Sequence, residues 1–308
     1  MDRNSVDWRG YWAASPTPYI NEDQLDLESL EALTQWYMGQ GLHGLLVNGT
    51  SGEWFSQTQD ERKQVAQTVL AQTQGEIPVV VGITALSPRE SLLVAEHAMT
   101  HGASGVALTV PPYSKALDHE VVAFYEYIAQ GVNAPVMIYN WPHGTSIDIS
   151  SELASRLADI DGVVALKEST PNADQFFATA ERVIDRVRVF GNFMSVRGLA
   201  FLQEHGGDGM IGGGSLFGRL DAQFWEDVWR GDWEQAKVHA EATESLFNSL
   251  WAPGGWRGLY GGYQSQLKAA MNMLAIPGGG AVRSPRLPIT NPDDLAAIRS
   301  ALVSAQLL

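Results

Sequence analysis

The chain has 308 residues, 45% of them hydrophobic, which is enough to bury a substantial core, and it contains no cysteine. Disulfides, thiolate nucleophiles and thiolate metal sites are therefore excluded together. Its 35 acidic and 20 basic side chains give a net charge of −15. Such a surface repels phosphate backbones and anionic lipid, so neither nucleic acid nor a membrane is an expected partner. Net charge says little about the inside of one cleft, and a small anionic substrate stays open. The segment Met1–Gly10 is polar and lacks the apolar stretch of a secretory signal, and no apolar run has the length of a membrane span. A cytoplasmic protein is the expectation.

Short apolar runs alternate with amphipathic helical stretches. Strands are predicted at Gly10–Ala14, Gly44–Asn48, Val79–Ile83, Gly105–Val110, Val136–Asn140, Val163–Lys167, Val187–Gly191 and Gly209–Gly213. From the second onward they recur roughly every 22 to 34 residues, the spacing of a strand, a helix and their loops. Runs such as Val79 to Ile83 are apolar on both faces, as a parallel strand covered by helices must be.

The helices between them are well punctuated. Thr58 with Glu61, and Ser87 with Glu90, have the spacing of capping boxes, the second with Pro88 at the first helical position. Leu92, Leu93, Ala95, Ala98 and Met99 form an apolar stripe that stops at Gly102. Asp118 opens a helical pattern that ends at Gly131, and Thr170-Pro171 opens another. Eight strands with intervening helices predict a single α/β domain, a (β/α)8 TIM barrel over residues 1–220. No Gly-x-Gly-x-x-Gly follows the first strand, which weighs against a dinucleotide-binding sheet. Residues 221–308 are more than one barrel helix needs. They are read as a C-terminal helical extension packed on the barrel, with helices at Asp221–Arg230, Trp233–Leu250 and Tyr263–Leu274.

In such a barrel the chemistry lies at the C-terminal ends of the strands. Lys167 ends an apolar strand there. Desolvation would lower its pKa and leave free amine to attack a carbonyl. A structural lysine paired with Glu168 is the competing reading, and position alone leaves both open. Tyr139, ending the neighbouring strand, is placed to shuttle protons to an adduct on Lys167, or to be a core tyrosine with a satisfied hydroxyl. Thr50 and Ser51 lie in a glycine-flanked turn whose hydroxyl and N–H groups suit a carboxylate.

The conjunction of Gly49-Thr-Ser-Gly-Glu53, Tyr139-Asn-x-Pro142 and Lys167-Glu-Ser169 resembles the dihydrodipicolinate synthase / N-acetylneuraminate lyase family. The likeness runs from Ala14-Ser-Pro-Thr-Pro18 to Lys268-Ala-Ala and the Arg283 to Pro288 segment. It implies a class I lyase that forms an imine between Lys167 and pyruvate or a 2-oxo-3-deoxy acid, for aldol cleavage, condensation or dehydration. It implies a homotetramer and no cofactor. Tyr139 then matches the proton-relay tyrosine, and Thr50 the hydroxyl linking it to a second tyrosine from a neighbouring subunit. Tyr113 fits that second tyrosine. Thr50 and Ser51 match the carboxylate pair, and Gly191 and Ile211 the positions whose backbone lies beside the enamine.

The departures concern the second substrate. Gly144, after His143, stands where dihydrodipicolinate synthases have an arginine for the aldehyde's carboxylate. Phe193 and Met194 stand where sialic-acid lyases have acidic residues. With Trp141 and Trp54 they predict a less polar acceptor pocket, or large side chains that only fill the mouth of the barrel. His143 is read as an acid or base toward the distal part of the substrate or as a residue lining the loop. A true dihydrodipicolinate synthase that draws its positive charge from Arg197 or Arg257 is the alternative within the family. A non-catalytic 2-oxo-acid-binding regulatory module is the alternative outside it. The glycines at Ile211–Ser215 are read as close packing before a phosphate site, and His97 with His101 as a solvated helix face rather than a metal pair; no metal is expected.

Overall fold

The computed structural model describes residues 1–22 and 24–308. Parallel strands β1 (Gly10–Ala14), β2 (Gly44–Val47), β3 (Val79–Gly82), β4 (Gly105–Thr109), β5 (Val136–Asn140), β6 (Val163–Glu168), β7 (Arg188–Phe190) and β8 (Gly209–Gly213) pair in order, and β8 closes on β1. The barrel is the one the sequence predicts, with strand limits differing by a residue or two.

The helices that cover it are α1 (Leu27–Gly39), α2 (Gln59–Thr73), α3 (Pro88–Thr100), α4 (Asp118–Val132), the short α5 (Pro142–Thr145), α6 (Ser151–Leu157), α7 (Ala173–Val183), α8 (Val196–His205) and α9 (Arg219–Arg230). The tail adds α10 (Trp233–Leu250), α11 (Tyr263–Met273) and α12 (Pro292–Ser304). Helix α9 packs against β1 as well as α10, so it covers the closing seam as a barrel helix, and the additional helices begin at Trp233. The last of them, α12, follows an Asn291 cap and a first-turn proline that the sequence pattern left unread.

Two capping expectations differ in the structure. Thr58 and Glu61 form a reciprocal capping box, whereas Ser87 precedes Pro88 without any capping bond from its side chain. Helix α7 starts at Ala173 instead of Thr170, because the Asn172 side chain accepts from the N–H groups of Asp174 and Gln175.

The barrel interior is filled by a separate cluster that includes Trp12, Leu46, Val80, Ala107, Met137, Val164, Ala165 and Phe190. The larger core lies between strands and helices. Strand β6 carries one irregularity that matters for the site. Val136 pairs with Val163 but Met137 pairs with Ala165, so Val164 is an extra residue in β6. Val164 and Ala165 both belong to the interior cluster, while Leu166 belongs to the outer core. Side chains on a strand alternate, so the extra residue shifts the phase and puts Lys167 on the interior face with Ala165.

Candidate active site

A cavity of about 850 Å³ opens at the C-terminal ends of the strands. That is within the size range of small-molecule sites. Of the residues singled out in the sequence, Thr50, Ser51, Tyr139, Trp141, His143, Lys167, Gly191 and Ile211 all line it.

Lys167 and Tyr139 are register partners on β6 and β5. The amine lies 3.6 Å from the centre of the Tyr139 ring and donates to Ser169 Oγ at 3.2 Å. Burial draws the lysine pKa down from 10.5 to about 7, with neighbouring Glu168 opposing the shift. The structural reading, in which Glu168 exists to neutralise the amine, fits less well. Glu168 turns to the other side of the strand, accepts from Asn140 Nδ2 at 2.7 Å and from the Thr170 N–H at 2.8 Å, and burial pushes its own pKa up to about 8. A carboxyl held toward its neutral form is a poor counter-ion for the amine.

The Tyr139 hydroxyl lies 3.3 Å from Thr50 Oγ1. Burial raises its pKa to about 12, against hydrogen bonds from Thr50 and Ser169. It therefore holds its proton at neutral pH and can lend it to an oxygen or nitrogen on the lysine adduct. Ser169 lies between amine and phenol, a role the sequence motif does not reveal by itself; its hydroxyl at the second position after a strand-end lysine is the signal that marks it.

The turn carrying Thr50 and Ser51 is fixed from the tail. Glu53 in that turn is buried with a left-handed φ of 55° and pairs with Lys268 of α11 at 2.6 Å. Lys268 also donates to the carbonyls of Thr17 and Ala281, and Gln264 donates to the Thr50 carbonyl at 2.8 Å. Helix α11 delivers one further residue that the sequence pattern did not single out. The Tyr263 hydroxyl is hydrogen-bonded to Ser51 and its pKa is raised by burial to about 12. A Cβ on Gly213 would stand 2.0 Å from that hydroxyl, and one on Gly212 would stand 2.1 Å from the Tyr11 hydroxyl. Close packing against tyrosines accounts for this part of the glycine run.

Three residues sit elsewhere than the sequence suggests. Phe193 and Met194 are not in the cavity wall. Both are buried at 1% exposure or less in the outer core, with Phe193 packed on Phe176, Phe201 and Trp225. After β7 the chain turns so that Asn192 and Ser195 face the cavity while the two intervening apolar side chains go beneath helix α8. Tyr113 is 98% exposed, with a left-handed φ of 76°, and does not line the cavity of its own chain. The wall is completed instead by Phe177 and by tail residues Phe247, Trp251 and Trp256. His97 on α3 and His101, which caps its C-terminus, stack on each other at 4.1 Å, away from this cavity.

A parallel barrel with a desolvated amine and a protonated phenol at its mouth is the framework of a lyase of the class I aldolase type. The chain belongs to the dihydrodipicolinate synthetase family, whose model matches residues 7–303. It is 27% identical over 308 residues to a 4-hydroxy-tetrahydrodipicolinate synthase of Desulfotalea psychrophila, covering 98% of both chains. It is 28% identical to an uncharacterized DapA-like lyase of Rhizobium meliloti, covering 92% of this chain and 91% of the relative. Among solved structures, dihydrodipicolinate synthase from Thermotoga maritima superposes with a TM-score of 0.86 at 26% identity, over 98% of this chain and 100% of the other. No helix among the described residues is long and apolar enough to cross a membrane.

Proposed function

We propose that Lys167 attacks the 2-oxo carbon of pyruvate, or of the pyruvyl end of a 2-oxo-3-deoxy acid, and carries it as an imine. The observation that supports this most is the buried amine, drawn down to a pKa of about 7, beside Ser169 and over the face of Tyr139. At neutral pH a good fraction of such an amine is unprotonated and nucleophilic. Attack gives a carbinolamine. Tyr139 protonates the departing hydroxyl, water leaves, and the imine then loses a proton from the adjacent carbon to become an enamine. Thr50 and Ser51 hold the carboxylate with hydroxyl and backbone N–H groups, and Thr50 passes protons to and from Tyr139 across 3.3 Å.

From the enamine, aldol addition, its reverse, or loss of a 3-substituent as water share the same lysine adduct. A dihydrodipicolinate synthase reaction with aspartate semialdehyde is the second reading, favoured by the names of the relatives and by Arg197 and Arg257 in the cavity wall. Tyr113, exposed and strained on its own chain, is assigned to the site of a neighbouring copy in a homotetramer, where it would extend the Thr50 relay.

The test is to incubate the protein with pyruvate and borohydride, then take an intact mass and a peptide map. A reduced pyruvate adduct on Lys167 is expected. Absence of an adduct with pyruvate and with a panel of 2-oxo acids, or an adduct on another lysine, overturns the reading.

A further inference from the structure

The cavity is far larger than pyruvate alone fills, and its outer half differs in character from the inner end. A ladder of rings leads outward from the catalytic tyrosine. Tyr139 stacks on Trp141 at 6.2 Å and 28°, Trp141 meets His143 edge-on at 5.6 Å, and His143 stacks on Trp256 at 5.7 Å and 28°. Trp256 comes from the tail and is 45% exposed at the mouth, with the Arg257 guanidinium 5.2 Å from its ring centre. Gly254, with φ of 79°, lets the tail lie close to this loop. A Cβ there would be 3.4 Å from His143 Nε2 and 2.5 Å from Pro171.

Gly144 explains why the ladder takes this form. A Cβ at 144 would stand 2.5 Å and 2.7 Å from Cδ1 and Nε1 of the Trp141 indole. The indole occupies the space any side chain at 144 would need. Glycine there and tryptophan three residues earlier are therefore one substitution in physical terms, a flat apolar surface taking the place of a polar side chain. The arginines of the wall do not restore a fixed cation beside Tyr139. Of the three arginines in the wall, Arg197 is paired with Asp174 at 2.7 Å and lies over Phe177, Arg257 lies over Trp256 at 5.2 Å, and Arg286 lies over Phe55 at 5.7 Å.

We propose that the second half of the substrate is a flat aryl group, so that the enzyme joins pyruvate to an aryl aldehyde or splits the corresponding 4-aryl-4-hydroxy-2-oxo acid. The proposal rests on the imine reading above. In the joining direction the enamine carbon attacks the aldehyde carbon, a carbon–carbon bond forms, and the aldehyde oxygen takes up a proton. Water then cleaves the imine, releasing the 4-hydroxy-2-oxo acid and regenerating the Lys167 amine. The aryl ring lies against Trp141 and Trp256 in offset or edge-on geometry, where ring–ring contact adds to the burial of its apolar area. An aldehyde carrying a carboxylate would lose its water against the Trp141 indole with no arginine seated beside it.

The experiment supplies pyruvate with benzaldehyde, aspartate semialdehyde or glyceraldehyde in turn and measures kcat/KM for each by mass-detected product formation. Borohydride trapping with pyruvate alone is run on the same preparation. Benzaldehyde is expected to be preferred over both others by at least about tenfold. Trp256→Ala, a change at a partly exposed position, is expected to raise KM for benzaldehyde about tenfold with most of the loss in KM. Trp141→Leu is expected to act in the same direction and more strongly. If the imine traps but aspartate semialdehyde or glyceraldehyde is preferred, or no aldehyde reacts, the aryl proposal fails and the imine reading stands. An unchanged benzaldehyde KM in Trp256→Ala and Trp141→Leu also overturns it. If pyruvate leaves no adduct on Lys167, the imine reading fails first.

Discussion

The two ends of the cavity are built by different means. At the inner end, Lys167 and Tyr139 stand on adjacent strands in fixed register, and Thr50 lies in a turn clamped by a buried ion pair and by a side-chain bond to its own carbonyl. The positions of these groups are set by directional bonds between regular elements. At the outer end Trp141, His143 and Trp256 come from the cap and first turn of the short α5 and from the tail, and they hold one another by ring contacts. Such contacts are weakly directional and can be rearranged singly. Bond formation needs placement to a fraction of an ångström, whereas choice among partners needs only a surface of the right shape and polarity. The molecule assigns the first task to strands and the second to loops.

If that division holds, changes at the inner end strike kcat, and those behind the outer wall leave turnover alone. The largest effect is expected for Lys167→Ala, with turnover falling by more than about 10⁴-fold and the borohydride adduct lost. Lys167→Met also checks the amine's burial. A lysine whose pKa is about 7 in the folded chain and ordinary in the unfolded one destabilises the fold, increasingly as pH falls towards 7. The methionine variant should therefore melt above the parent at pH 7, with the gap closing as the pH is raised towards the usual lysine value. Tyr139→Phe is expected to lower kcat by about 10²–10⁴-fold, the range of a lost general acid, and to leave the folded structure intact by circular dichroism.

Smaller effects sharpen the comparison. With Ser169→Ala a fall in kcat of about tenfold is expected, on the scale of one hydrogen bond worth about 1–1.5 kcal/mol. In the parent protein kcat/KM for pyruvate should rise about tenfold per pH unit below about 7 and level off above it, since the free amine is the reactive form. A profile flat from pH 5 to 8 would break the link between burial and reactivity. The least change in turnover is expected for Phe193→Ala. Its ring is core, so denaturant unfolding should show a loss of about 3–5 kcal/mol while the KM of the second substrate stays where it was. A raised KM with stability unchanged would return Phe193 to the cavity wall.

Much of the inner end is legible in the sequence, because strands in a barrel announce themselves as apolar runs and the rule about their C-terminal ends selects Lys167, Tyr139 and Thr50. The outer end is legible only in part. Trp141 and His143 follow β5 directly and could be found. Phe193 and Met194 also follow a strand directly, yet the turn after β7 sends them inward, and nothing in a run of four residues records which way a turn faces. Trp256 and Tyr263 lie far along the chain from the strands they meet. Only the docking of the tail brings them in, through buried contacts such as Glu53 with Lys268, whose two partners lie 215 positions apart.

The extra residue in β6 has a practical consequence for anyone moving this site to another scaffold. Interior and exterior positions along a strand are counted from a fixed start, and Val164 puts the count out of step just before the lysine. A host barrel given the same side chains on an unbroken sixth strand would aim the amine into its helices, away from the phenol and the hydroxyls. Deleting Val164 from this chain would instead leave Val163, Ala165, Leu166 and Lys167 in simple alternation with the amine still inside, so the residue count and the bulge have to travel together. What has to be transplanted is therefore an irregularity of the backbone along with the side chains that depend on it.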